Sequence, residues 1–172
     1  MNSQVVKNSI RFILLILVQV LVFSNMNLWG YLTFYPYLLF LLLLRVDINK
    51  TSLLLLGFIT GLTIDFFQNT LGMQAAAATL LVFVRPAVIN FYFKTEEFSP
   101  REEPGISTLG FTGFLKYAIT LIFIHHFFLF FLEEFSLSML FSSIGEIVAN
   151  TLATTILIMI IEMLFSRKKK TI

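Results

Sequence analysis

The chain has 172 residues, 58% of them hydrophobic and 21 of them phenylalanine, against 12 basic and 10 acidic side chains. A water-soluble domain of that size cannot bury so much apolar surface, so a bilayer is the expected solvent. The absence of cysteine excludes disulfides, thiolate metal sites and cysteine nucleophiles.

The first apolar run, Phe12–Phe23, follows Lys7 and Arg11 in the manner of a signal peptide. No small-x-small cleavage site follows it, so it is expected to remain as a first span. In chain order, hydropathy predicts six spans within one domain, 1–172: residues 10–27, 29–45, 52–69, 72–93, 113–133 and 141–165. They are joined by one long loop, 94–112, and end in a basic tail, 166–172. Helices are expected because backbone polar groups in lipid must be satisfied within the segment. Spans two and three are short for a core that takes roughly 20 helical residues to cross. The fold class is an all-α integral membrane protein with six transmembrane helices.

Charge distribution predicts the orientation. With both termini in the cytoplasm, Lys7, Arg11, Arg45, Lys50, Lys94, Arg101, Lys116 and Arg167–Lys170 all fall at the inner side, and the twelfth basic residue, Arg85, lies within span four. The outer connections near 28, 70 and 134–140 carry no basic residue, as the positive-inside rule requires for an even number of spans. Trp29, Tyr31 and Tyr35 then form an outer aromatic belt, with Tyr92 and Tyr117 at the inner one. The loop from Lys94 to Gly110, broken by Pro100 and Pro104, reads as a solvated connector, with a cytoplasmic docking segment as the alternative. The tail SRKKKTI reads as a topology anchor attracted to anionic lipid.

Within GFITGLTIDFFQNTLG, Gly57, Gly61 and Asp65 recur every four residues and share one slowly drifting helix face. The glycines let another helix approach closely, and the small-residue opening of span four, GMQAAAAT, suits that contact. Asp65 lies about one turn from the outer end of its own helix, where the dipole disfavours an acid, so it is not expected to be a cap. It needs a hydrogen-bond partner, water or a proton. Pro86 removes a hydrogen bond to the Val82 carbonyl and predicts a kink. Arg85 sits about 12 Å from the inner end by helical rise, so Glu162 is a better-placed partner than Asp65, with snorkelling as the alternative. Span six carries a small and polar stripe of Ser142, Gly145, Glu146, Ala149, Asn150 and Ala153. If Asp65, Glu146 and Asn150 face one cavity, they form an outer polar pocket with a shared proton or a cation. His125 and His126 point about 100° apart on a helix, which favours hydrogen bonding between helices over a shared metal. No nucleophile elbow, phosphate loop or dinucleotide pattern is present, and nothing suggests nucleic-acid binding or a cofactor.

Gly57-x3-Gly61-Leu62-x2-Asp65, then Leu71-Gly72 and an alanine-rich helix reaching Arg85-Pro86, resembles the rod shape-determining protein MreD family. The six-span plan extends the resemblance over essentially the whole chain; Gln74 departs from it, near a position where related sequences often carry histidine. The resemblance implies a non-catalytic inner-membrane subunit of the bacterial elongation machinery. Its implied partners are the bitopic protein MreC, then actin-like MreB and the glycosyltransferase–transpeptidase pair that builds lateral wall peptidoglycan. It also implies a fold like that of the substrate-binding subunits of energy-coupling-factor transporters. The alternative reading is therefore a vitamin-type binding subunit of a transporter. Against it, FILLILVQVLVF lacks the small-residue face by which such subunits are expected to dock. A membrane-embedded hydrolase or transferase is the weakest class.

Overall fold

The computed structural model describes residues 3–23, 32–93, 98–99, 102–134 and 143–166. Trp29, Tyr31, Lys94, Pro100, Arg101, Ser142, Arg167–Lys170 and the connection 135–142 lie outside the described residues.

Helix α1 runs from Ser3 to Val18 and continues as a π-helical turn, Gln19–Phe23. The short α2 covers Leu38–Leu42, α3 Lys50–Gln68, α4 Met73–Tyr92, α5 Ile106–Glu134 and α6 Ile144–Phe165. Among the described residues there is no β-strand, and five helices are long and apolar enough to cross a membrane. The chain is an all-helical membrane protein.

The ends of these helices follow from local chemistry. Asn49 opens α3 by accepting the Ser52 N–H at 2.7 Å. Asn69 closes it in the left-handed conformation (φ 55°), and Gly72 (φ 87°) turns the chain into α4. Pro86 does not stop α4, which runs on to Tyr92. Within α5, Gly110 is non-helical (φ 70°, ψ 170°), so a short turn after Gly105 precedes the long helix.

The second span is where expectation and structure part. Of the predicted 29–45 helix, the described part holds only the five residues of α2, flanked by irregular chain. Every side chain from Tyr35 to Leu44 is buried. Pro36 has no N–H to give and restricts Tyr35, so the helix cannot begin earlier. Irregular backbone is tolerated at membrane depth only where protein surrounds it, and here it does. Hydropathy registers the burial of this segment, not its backbone path.

Contacts define two ends of the bundle. At one lie Lys7, Arg45, Lys50, the start of α5 and the end of α6; the Val46 N–H donates to the Glu102 carbonyl and Ile106 N–H to Glu162. At the other, Thr33 meets Asn150 and α3 turns into α4. Helices α3, α4, α5 and α6 pack as successive neighbours, and α1 stands at the edge, exposing Ile13, Leu14, Leu17 and Leu21.

Part of the long loop is also not a solvated connector. Glu103 pairs with Lys7 at 3.0 Å and Arg11 at 2.9 Å, and Pro104 and Gly105 are buried. A Cβ on Gly105 would meet the Glu162 carboxylate, so a larger residue in this strap would have to displace that side chain.

Candidate functional site

A broken span inside a membrane protein leaves backbone groups that must find partners elsewhere. Side chains from four other elements supply them here. Asn150 accepts from Thr33 N–H at 2.7 Å and from its hydroxyl at 3.0 Å. Thr154 accepts from Tyr35 N–H at 3.3 Å. Gln19, turned inward by the π-helical turn, donates to the Phe34 carbonyl at 3.2 Å. At the far end of α2, Tyr117 donates its hydroxyl to the Leu42 carbonyl at 2.9 Å.

Arg85 completes this set. Its Nε donates to the Tyr117 hydroxyl at 2.7 Å, and Nη2 donates to the carbonyls of Leu42 and Leu44. The residue is 1% exposed, so it does not snorkel. It does not pair with Glu162 either, whose carboxylate instead accepts the Ile106 N–H at 3.3 Å and holds the start of α5. The expected inner pair of Arg85 and Glu162 is replaced by two separate backbone clamps. The physical reason is the gap left by the broken span: carbonyls with no helical partner compete for the guanidinium, whose planar fork suits several oxygens at once.

Asp65 is likewise redirected. Its Oδ1 accepts the Thr70 hydroxyl at 2.6 Å and Gln74 N–H at 3.0 Å, and its Oδ2 accepts Ala75 N–H at 2.8 Å. Gly72 occupies the N-cap position of α4 and has no side chain to satisfy these N–H groups. Asp65 performs that capping from the previous helix. The expectation that Asp65 is not a cap fails because the carboxylate, disfavoured by the dipole of α3, also meets the N-terminus of α4. The tight turn Asn69–Gly72 brings the positive end of α4 against the same carboxylate.

The outer polar pocket is not assembled. Asp65 is 5% exposed and engaged with α4, Glu146 is exposed in the first turn of α6, and Asn150 binds Thr33 and the Glu146 carbonyl. In the small-residue stripe, Gly145 has open space around it, whereas Gly57 and Gly61 face α4. Of the remaining motif residues, Leu62 and Leu71 are exposed.

Gly61 is the tightest of these contacts. A Cβ there would meet the Cα and N of Ala75 and the carbonyl of Gln74, all of them backbone. At Gly57 the nearest atom is a Val82 methyl, and the one backbone atom close by, the Ala78 carbonyl oxygen, lies farther off at 3.1 Å. Gly61→Ala should therefore lower stability by about 1–3 kcal/mol, through overpacking that parts α3 from α4. Gly57→Ala should cost visibly less. Thermal unfolding of the two variants in detergent checks the ranking, and equal losses would contradict it.

Between these clamps lies a chain of buried polar groups that the sequence reading did not connect. Tyr37 hydroxyl donates to Gln74 Oε1 at 2.9 Å and meets His125 Nε2 at 2.9 Å. His126 donates from Nδ1 to the Ile122 carbonyl of its own helix at 2.8 Å, so of the two histidines only His125 bonds across elements. Tyr35 lies edge-on to His126, with ring centroids 5.1 Å apart. His125 Nδ1, His126 Nε2 and the hydroxyls of Thr151 and Thr155 are buried without hydrogen-bond partners among the described residues. Elsewhere in the chain, Thr60, Thr63, Thr79 and Thr120 bond back to the carbonyl four residues earlier. Thr151 and Thr155 do not. Tyr37 had no motif to announce it, Gln74 stood out only as a departure from the family pattern, and Tyr117, expected in the inner aromatic belt, is fully buried instead; the only common signal was polar atoms inside apolar runs.

Comparison with protein-family models, with characterised proteins and with solved structures finds no match.

Proposed function

We propose that the chain is a non-catalytic inner-membrane scaffold subunit of the bacterial cell-elongation machinery, acting as MreD-type proteins do. In this reading both termini are cytoplasmic, and the bundle holds the transmembrane helix of an MreC-like bitopic protein. It thereby couples MreB and the wall-building glycosyltransferase–transpeptidase pair. The residue resemblance motivates the family. The single observation that supports a scaffold role is how the intramembrane charges are used: Asp65 and Arg85 both hold the protein's own backbone. Both are buried.

In this reading a partner would meet the outer faces of the bundle. The glycine and alanine faces of α3 and α4 are closed against each other, so they are not free for another helix. The outward ridges remain: Leu55, Phe58, Ile59, Leu62 and Phe66 on α3, and Ile13, Leu14, Leu17 and Leu21 on α1. Photo-crosslinkers placed at Leu14, Leu62, Phe123 and Leu152 in native membranes test this. Capture of a single-span coiled-coil partner, together with loss of rod shape on depletion, is the expected result. No protein captured from any of the four positions would overturn it.

A vitamin-type binding subunit is the second reading, favoured by the unpartnered His125, His126, Thr151 and Thr155 atoms. It requires the purified protein to bind a small molecule with an affinity that His126→Leu abolishes.

A further inference from the structure

At the basic end of the bundle, the turn between α2 and α3 and the last two turns of α4 enclose a cavity of about 110 Å³. Val46, Ile48, Leu53, Pro86 and Ile89 form its apolar walls, and Lys50, Arg85 and Asn90 also line it. Arg85 carries a permanent charge. Its three acceptors, Tyr117, Leu42 and Leu44, are all neutral oxygens, and its Nη1 makes no hydrogen bond among the described residues. The ion pairs among those residues join Lys7 and Arg11 to Glu103 and Arg45 to Asp47; none involves Arg85.

A buried cation lacking a counterion is costly in a membrane, and its remaining donor belongs to a residue that lines a cavity. Of the other two polar lining residues, Asn90 is a neutral amide and Lys50 is a second cation. It opens α3, whose N-terminus adds partial positive charge on the same side. The cavity equals the liquid volume of about three or four waters, which is room for one tetrahedral oxyanion. Arg85 lies seven residues before Tyr92, the last residue of α4, or about 10 Å by helical rise. That depth is within reach of a headgroup phosphate.

We infer that this cavity binds one phosphate group, with Arg85 Nη1 and Lys50 as its donors. The group comes either from a phospholipid headgroup or from free phosphate. The site stands independently of any protein partner. Because Arg85 also clamps the chain after α2, it is a poor first target. Lys50→Glu reverses an exposed charge, and Val46→Phe fills the cavity without altering charge.

Native mass spectrometry of the full chain in detergent provides the test. The probes are phosphatidylglycerol, a diacylglycerol with the same acyl chains, and inorganic phosphate. Phosphatidylglycerol should be retained at one per chain and diacylglycerol not. Each variant, melting near the parent temperature, should bind phosphatidylglycerol about tenfold or more weakly. Displacement of phosphatidylglycerol by millimolar inorganic phosphate identifies the free ion as sufficient, and resistance to displacement identifies the lipid headgroup. Equal retention of diacylglycerol, no retention of either phosphate probe, or undiminished binding by both variants would each overturn the assignment.

Discussion

Arg85→Met is expected to be among the most destabilising substitutions in the chain. Methionine keeps most of the volume but removes every donor, leaving the Leu44 carbonyl without a partner in the described structure. An orphaned buried carbonyl costs about 1–3 kcal/mol, and the charged hydrogen bonds to Tyr117 and Leu42 add a comparable amount. One effect opposes these losses: methionine also removes a buried charge and its desolvation. In the parent the three neutral oxygens around the guanidinium offset part of that desolvation, so the loss of donors should dominate. Thermal unfolding in detergent reads the net effect, and hydrogen exchange locates it. Faster exchange should appear at Leu43–Val46 before the long helices loosen. Arg85→Lys keeps the charge but not the fork, and should recover only part of the loss. If Arg85→Met melts like the parent, the guanidinium is not what holds the broken span.

That broken span also marks the limit of what could be read from residues alone. The hydropathy of spans three and four ends within about two residues of α3 and α4, where Asn49, Asn69 and Gly72 fix the helix ends by local chemistry. Spans five and six likewise lie within or nearly coincide with α5 and α6. The stretch from Leu32 to Arg45 has the same hydropathy as a helix, yet most of it is not one. Its conformation depends on Asn150, Thr154, Gln19, Tyr117 and Arg85, which are remote in sequence and bind backbone atoms. A carbonyl oxygen looks the same at every residue, so no pattern foretells which one an arginine will reach. For the same reason Glu162 was matched to Arg85 by charge, when its actual partner is a backbone N–H. Opposite charge was the visible criterion; unsatisfied backbone was the stronger one.

Asp65 yields the sharpest test of structural against catalytic chemistry. Three donors converge on its two oxygens: the Thr70 hydroxyl and the N–H groups of Gln74 and Ala75. An ionised carboxylate only accepts, so both oxygens can serve. In Asp65→Asn one oxygen becomes an NH2 group, and whichever way the amide turns it sets a donor against a donor. The substitution also removes negative charge from the N-terminus of α4. Loss of an N-cap typically costs about 0.5–2 kcal/mol, and an N–H left unsatisfied in the core about 1–3 kcal/mol. Asp65→Asn should therefore destabilise by roughly 2–4 kcal/mol, close to the effect of Asp65→Ala. A catalytic acid predicts the opposite pattern: Asp65→Asn folds with parental stability while an activity disappears. Thr70→Val separates the contributions further, since it removes one donor and leaves both N–H groups capped. It should cost less than either change at Asp65. A parental melting temperature for Asp65→Asn would show that the carboxylate does not hold α4 to α3, and would restore the case for chemistry at this residue.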